Sequence, residues 1–135
     1  MTRFLSLAAA SLLLAGFVGC GSDDGPDVPA THKVTGTVTL DGKPLAKGNI
    51  SFESEADTKV GISATGEISD GKFEVLATVG KKKVKIRAPK EVGEPDATGM
   101  RNTVETIPPK YNEKTTLEFE VKEGENKQDF ALKSK

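Results

Sequence analysis

Tryptophan is absent from these 135 residues, cysteine, histidine and tyrosine occur once each, and aromatic residues make up 5%. Each scarcity removes a class of function. A lone cysteine closes no internal disulfide, so the fold has to be held by core burial and not by the staples of a small secreted scaffold. With His32 as the only histidine, read as a solvated or capping residue before the first strand, neither a histidine zinc centre nor a Ser-His-Asp triad is expected. Without tryptophan, and with Tyr111 as the single tyrosine, sugar binding ranks low among the expected functions, although 20 acidic residues leave a carboxylate pair for glycosidase chemistry open. Charge of either sign is not in excess: 19 basic against 20 acidic residues give a net charge of −1, too little to recruit nucleic acid.

What the chain does contain begins with Arg3 and the apolar run Phe4 to Val18, which end at Cys20. A basic start, a Leu- and Ala-rich stretch and small residues at its end predict a signal peptide over 1–19. The four residues Phe17-Val18-Gly19-Cys20 resemble the bacterial lipobox, in which a cysteine thiolate takes a diacylglycerol and its freed amine is acylated. Two or three acyl chains hold a protein on a membrane where one does so marginally. Cys20 is therefore expected to be the lipidated first residue of an exported chain, and 20–31 a flexible tether. Asp23, Asp24 and Asp27 lack the spacing and terminal Glu of a calcium loop. Gly21, in place of an inner-membrane-retaining Asp, favours the outer membrane.

From 32 to 135 the pattern is that of short strands. Val34, Gly36, Val38 and Leu40 alternate with threonines, Asp41-Gly42 makes a turn, Pro44 interrupts, and Asn49 to Phe52 follows as a second strand. Val60, Ile62 and Ala64 are expected to point inward, leading through Ile68 and the Asp70-Gly71 turn to Phe73 and Val75. Val84, Ile86 and Ala88 face in while Lys83, Lys85 and Arg87 face out, and Leu117, Phe119 and Val121 do the same opposite Glu118 and Glu120. Those basic and acidic faces suit cross-strand pairing. No segment has a sustained helical period. About seven strands with Gly-containing turns predict an all-β domain, an antiparallel Greek-key β-sandwich.

The residues Val34 to Leu45, then Ile50 and Phe52, then Ser69 to Phe73, resemble the carboxypeptidase regulatory-like domain, a transthyretin-like sandwich. The resemblance places Gly36 in the first strand, Gly42, Pro44 and Leu45 in the turn, Gly48 at the entry to the second strand, and Asp70-Gly71 in the later turn. Pro108 to Asn112 and the closing Asn126 to Leu132 look like a version found in small lipoproteins of planctomycete-type bacteria. In carboxypeptidases this domain is the non-catalytic companion, so the resemblance implies no peptidase activity, metal or cofactor. The transthyretin-related hydroxyisourate hydrolases need several histidines and a Tyr-Arg-Gly-Ser end, which this chain lacks.

The longest stretch without a clean period is Ala88 to Lys110. Its polar residues Glu91, Glu94, Asp96, Arg101 and Glu105, with the nearby Tyr111, mark a candidate binding loop, which Met100, Val104 and Ile107 are expected to pin to the sandwich. Tyr111 is read as an anchor against the sheet edge. A covalent cross-link between Lys33 and Asn126 is a further alternative. The expectation for function is a non-catalytic cell-envelope lipoprotein, bound to the membrane by its lipid and serving as a structural, adhesion or protein-interaction module for an envelope partner. A carrier of a small ligand in a pocket or dimer interface is the alternative, and a hydrolase comes third.

Overall fold

Two Asp-Gly pairs organise the chain. Asp41 and Gly42 take φ of 51° and 81°, and Asp70 and Gly71 take 49° and 75°, the paired positive values of a type I′ hairpin turn. The computed structural model describes residues 28–135, so the expected signal peptide, Cys20 and most of the tether lie outside the described residues. Within them β1 (Thr31–Leu40) turns at Asp41-Gly42 into the short β2 (Lys43–Pro44). Then come β3 (Lys47–Glu53), a helix α1 (Glu55–Lys59), β4 (Ala64–Ser69), β5 (Lys72–Thr78) and β6 (Gly80–Arg87). A ribbon of β7 (Pro89–Val92) and β8 (Asn102–Glu105) follows. After a 3-10 turn at Pro109–Tyr111 the chain closes with β9 (Glu118–Val121), β10 (Asn126–Lys127) and β11 (Phe130–Leu132).

The main sheet runs β10-β1-β5-β4-β3-β6-β9, with β2 and β11 both paired to the far end of β1. β3, β4 and β5 pair antiparallel in succession and return the chain beside β1, which is a Greek key. The fold is all-β, an antiparallel sheet curled into a sandwich-like body, as the alternation predicts. Eleven strands replace the expected seven because the ribbon and several two- to four-residue pieces are too short to show a period. Three further corrections concern pairing and local shape. β1 and β3 are not hairpin neighbours, since Pro44 ends the β2 pairing and β3 crosses to lie between β4 and β6. β10 and β11 run parallel to β1. Val60, expected inward, is 64% exposed because it caps α1 and is not part of a strand.

Burial explains why this arrangement holds. Val34 and Val38 from β1, Ile50 and Phe52 from β3, Ile68 from β4, Val84 and Ile86 from β6, Val121 from β9 and Leu132 from β11 are all shut from solvent. Each such side chain contributes about 1.5–3 kcal/mol on burial. A line of rings crosses the core: Phe119 to Phe52 at 6.1 Å, Phe52 to Phe73 at 6.1 Å and Phe73 to Phe130 at 6.0 Å, spacings suited to tilted and edge contacts. This line ties the closing strands to the central ones.

Candidate functional site

The turn residues singled out in the sequence come together at one end. Gly71 N–H donates to the Leu45 carbonyl at 2.7 Å, Asp70 N–H to that of Ala46 at 2.9 Å, and Val38 N–H to that of Gly71 at 2.7 Å. A side chain at Gly71 would meet Pro44 as well as a disfavoured φ. Gly36 has a different duty. The Gln128 carbonyl lies across β1 at this point, and Gln128 N–H donates to the Thr35 carbonyl at 2.9 Å. Asp129 follows, its carboxylate accepting from the Thr37 amide and hydroxyl at 2.9 Å each, which holds that carboxyl below its usual range. Gly48 lies opposite Ile68 where β3 begins. These residues build the fold, and they present no reactive group to a cleft.

The candidate binding loop is ordered as the β7–β8 ribbon, with Glu91 opposite Thr103 and Pro89 opposite Glu105. Two of its acids serve structure. Asp96 accepts from the Thr98 amide and hydroxyl at 2.8 and 2.6 Å and from the Met100 amide at 3.1 Å, closing the tip and lowering its own carboxyl pKa. Glu105 accepts from the Ala88 and Ile107 amides at 2.8 and 3.0 Å, fastening the ribbon base to the sandwich. Glu91, Glu94 and Arg101 are exposed. Of the three expected apolar pins only Ile107 is buried, at 2% exposure; Met100 and Val104 stand 69% and 53% exposed. Tyr111 belongs elsewhere: half-buried against the core, its hydroxyl accepts from the Lys133 amide at 3.0 Å.

A cluster that sequence reasoning missed lies at the other end of β3. Ser54 caps α1, its Oγ accepting from the Asp57 amide at 3.2 Å, and this short helix carries Asp57 over the sheet. Asp57 Oδ1 accepts from the Thr78 hydroxyl at 2.6 Å, and Oδ2 accepts from the Ser54 hydroxyl at 2.7 Å and from the Lys82 ammonium. Lys82 also donates to Thr78 Oγ1 at 2.5 Å and to Ser54 Oγ at 3.3 Å. Its three protons thus have three acceptors, although its side chain is only 2% exposed. Burial pushes the Asp57 carboxyl up, but the bonds from Lys82, Thr78 and Ser54 outweigh it and hold the group below its usual range. The signal was available: Lys82 is in phase with Val84 and Ile86, so within the run Lys81 to Lys83 it had to point inward.

Beside this cluster a cleft of about 640 Å³ is lined by Glu53, Lys59, Lys81, Lys83, Lys85 and Glu118 among others. Its charges largely answer one another, through Lys85 to Glu53 at 2.6 Å and Lys81 to Glu118 at 3.8 Å, whereas the expected pairing of Lys83, Lys85 and Arg87 with Glu118 and Glu120 is not what forms: Lys85 turns to Glu53 on β3 and Arg87 to Glu113 at 3.9 Å. A second cleft of about 660 Å³ lies between the start of β3 and the ribbon base, with Leu45, Gly48, Ala88 and Pro89 in its wall. His32 Nδ1 accepts from the Gly124 amide at 3.0 Å, a capping role. Lys33 and Asn126 are not poised to react: Lys33 pairs with Glu74 at 3.5 Å, while the Asn126 amide donates to the Lys122 and Gly124 carbonyls. Among the described residues no group of three or more His, Cys, Asp or Glu is placed to hold a metal ion, and no helix is long and apolar enough to cross a membrane.

The class these features define is an all-β domain with two open, charge-balanced clefts and a projecting ribbon. No protein-family model and no curated protein matches the chain. Among solved structures, a DUF3823 family protein from Parabacteroides merdae is similar at 15% identity, over 77% of this chain and 46% of that one, with a TM-score of 0.42. A 9R-lipoxygenase from Cyanothece is similar at 12% identity, over 83% of this chain and 18% of that one, with a TM-score of 0.39. The chain therefore spans less than half the length of either.

Proposed function

We propose that this chain is an exported lipoprotein, anchored through Cys20 to a cell-envelope membrane, whose carboxypeptidase regulatory-like sandwich works without catalysis as a structural or protein-interaction module. The observation that carries this reading is the basic, apolar, small-residue series ending at Cys20, followed by a polar stretch that runs up to β1 at Thr31. The ribbon supports the interaction role: Val92, Met100 and Val104 are 37%, 69% and 53% exposed on an element that stands clear of the core. Replacing Cys20 by Ser and fractionating cells tests the anchor. The variant should be released from the membrane with the same far-UV spectrum as the parent; a variant that stays in the membrane fraction refutes the lipid attachment.

A further inference from the structure

Lys82 and Asp57 are the only ion pair of the described residues buried on both sides, with side chains 2% and 8% exposed. A buried ion pair often contributes less to stability than apolar residues of the same volume would, and it holds an amine and a carboxyl group in lasting contact. The contacts around it hold an amine against a carboxyl group away from bulk water. The amine touches one carboxyl oxygen, Oδ2, which the Ser54 hydroxyl also approaches at 2.7 Å, while the other, Oδ1, accepts from the Thr78 hydroxyl at 2.6 Å.

We propose that Lys82 and Asp57 condense into an intramolecular isopeptide bond that joins β6 to α1. Within the pair the ammonium hands one proton to Oδ2, giving a neutral amine and a neutral acid, against the hydrogen bonds from Lys82, Thr78 and Ser54 that favour the carboxylate. Nζ then adds to Cγ, and the negative charge that develops on Oδ1 is met by the Thr78 hydroxyl. Oδ2 departs with the first proton and a second one from Nζ, leaving an amide and one water. No oxidant, reductant or second substrate enters. The ion pair is the resting form, so the step proceeds slowly through the neutral one, and holding both groups in contact supplies the effective concentration. The bond closes a loop between positions 25 apart in a chain whose single cysteine forms no internal disulfide.

The test is a mass measurement on the purified full chain together with a tryptic map that also reads its N-terminus. The expected result is a deficit of one water, about 18 Da, and a branched peptide in which Gly48 to Lys59 is joined through Asp57 to the segment around Lys82, after which trypsin no longer cuts. The Lys82→Arg chain should carry its full mass and yield the two peptides apart. Recovery of the free Gly48 to Lys59 peptide from the parent chain at full mass overturns the proposal, and so does a water deficit that persists in Lys82→Arg.

Discussion

Gly36→Ala is the substitution that most directly probes how the closing strands are held. A Cβ at this position would overlap the Gln128 carbonyl, lying 2.7 Å from its carbon and 3.0 Å from Cε1 of Phe73. The ring is packed between Phe52 and Phe130 and has nowhere to retreat. The Gln128 backbone must therefore move, and it takes with it the bond to Thr35, the two bonds from Thr37 to Asp129 and the register of Val38 to Leu40 with Phe130 to Leu132. Three hydrogen bonds at about 1 kcal/mol each, with partial exposure of Phe130 and Leu132, give a loss of about 3–5 kcal/mol. Gly61→Ala is the control: its φ is 72° with nothing within 4 Å of a Cβ, so it should lose only about 1 kcal/mol from backbone conformation. Urea unfolding of the parent and both variants measures the difference, and hydrogen exchange locates it. Fast exchange in 126–132 of Gly36→Ala, with β3 and β6 still protected, is the expected pattern. A loss of under about 1 kcal/mol for Gly36→Ala, or one no larger than that for Gly61→Ala, refutes the account of the crossing.

Other outcomes follow from the same contacts. Phe52→Ala breaks the line of rings at its middle and should lower stability by about 3–5 kcal/mol in urea; a loss below about 2 kcal/mol means that the cavity collapses. The Asp129 carboxyl, lowered by the Thr37 hydroxyl and amide from its ordinary 3.8, contributes stability that is present above that value and fades as pH falls through the lower folded pKa. Asp129→Asn should therefore flatten the acid side of a plot of unfolding midpoint against pH, and an unchanged slope there defeats the assignment. Met100→Glu combined with Val104→Asp on the exposed ribbon should leave the urea midpoint within about 0.5 kcal/mol of the parent while abolishing capture of envelope protein by the lipidated chain. Undiminished capture removes the ribbon from the proposed contact.

Legibility along the chain follows how local each cause is. The inward rows of β1 and β6 and the two Asp-Gly turns depend on neighbours one or two positions away, and these match the structure. α1 escaped because a five-residue helix held by the Ser54 cap has no period to display. The ribbon escaped because its strands bury nothing, leaving no alternation between buried and exposed faces. Lys82 shows the opposite failure. Its phase was readable, but a lysine is assumed to face solvent unless a partner is known, and Asp57 is brought to it by a helix that was itself unseen.

The strand pattern, the turn chemistry and the composition were determined by the sequence alone, because side-chain alternation and positive-φ turns are properties of adjacent residues. Only the tertiary structure decided which strands lie side by side, that β10 and β11 run parallel to β1, and that four polar side chains from Ser54 to Lys82 meet in one buried cluster. Those outcomes rest on contacts between residues up to 93 positions apart. Their energies depend on how the whole core closes, and no local window of the chain contains that sum.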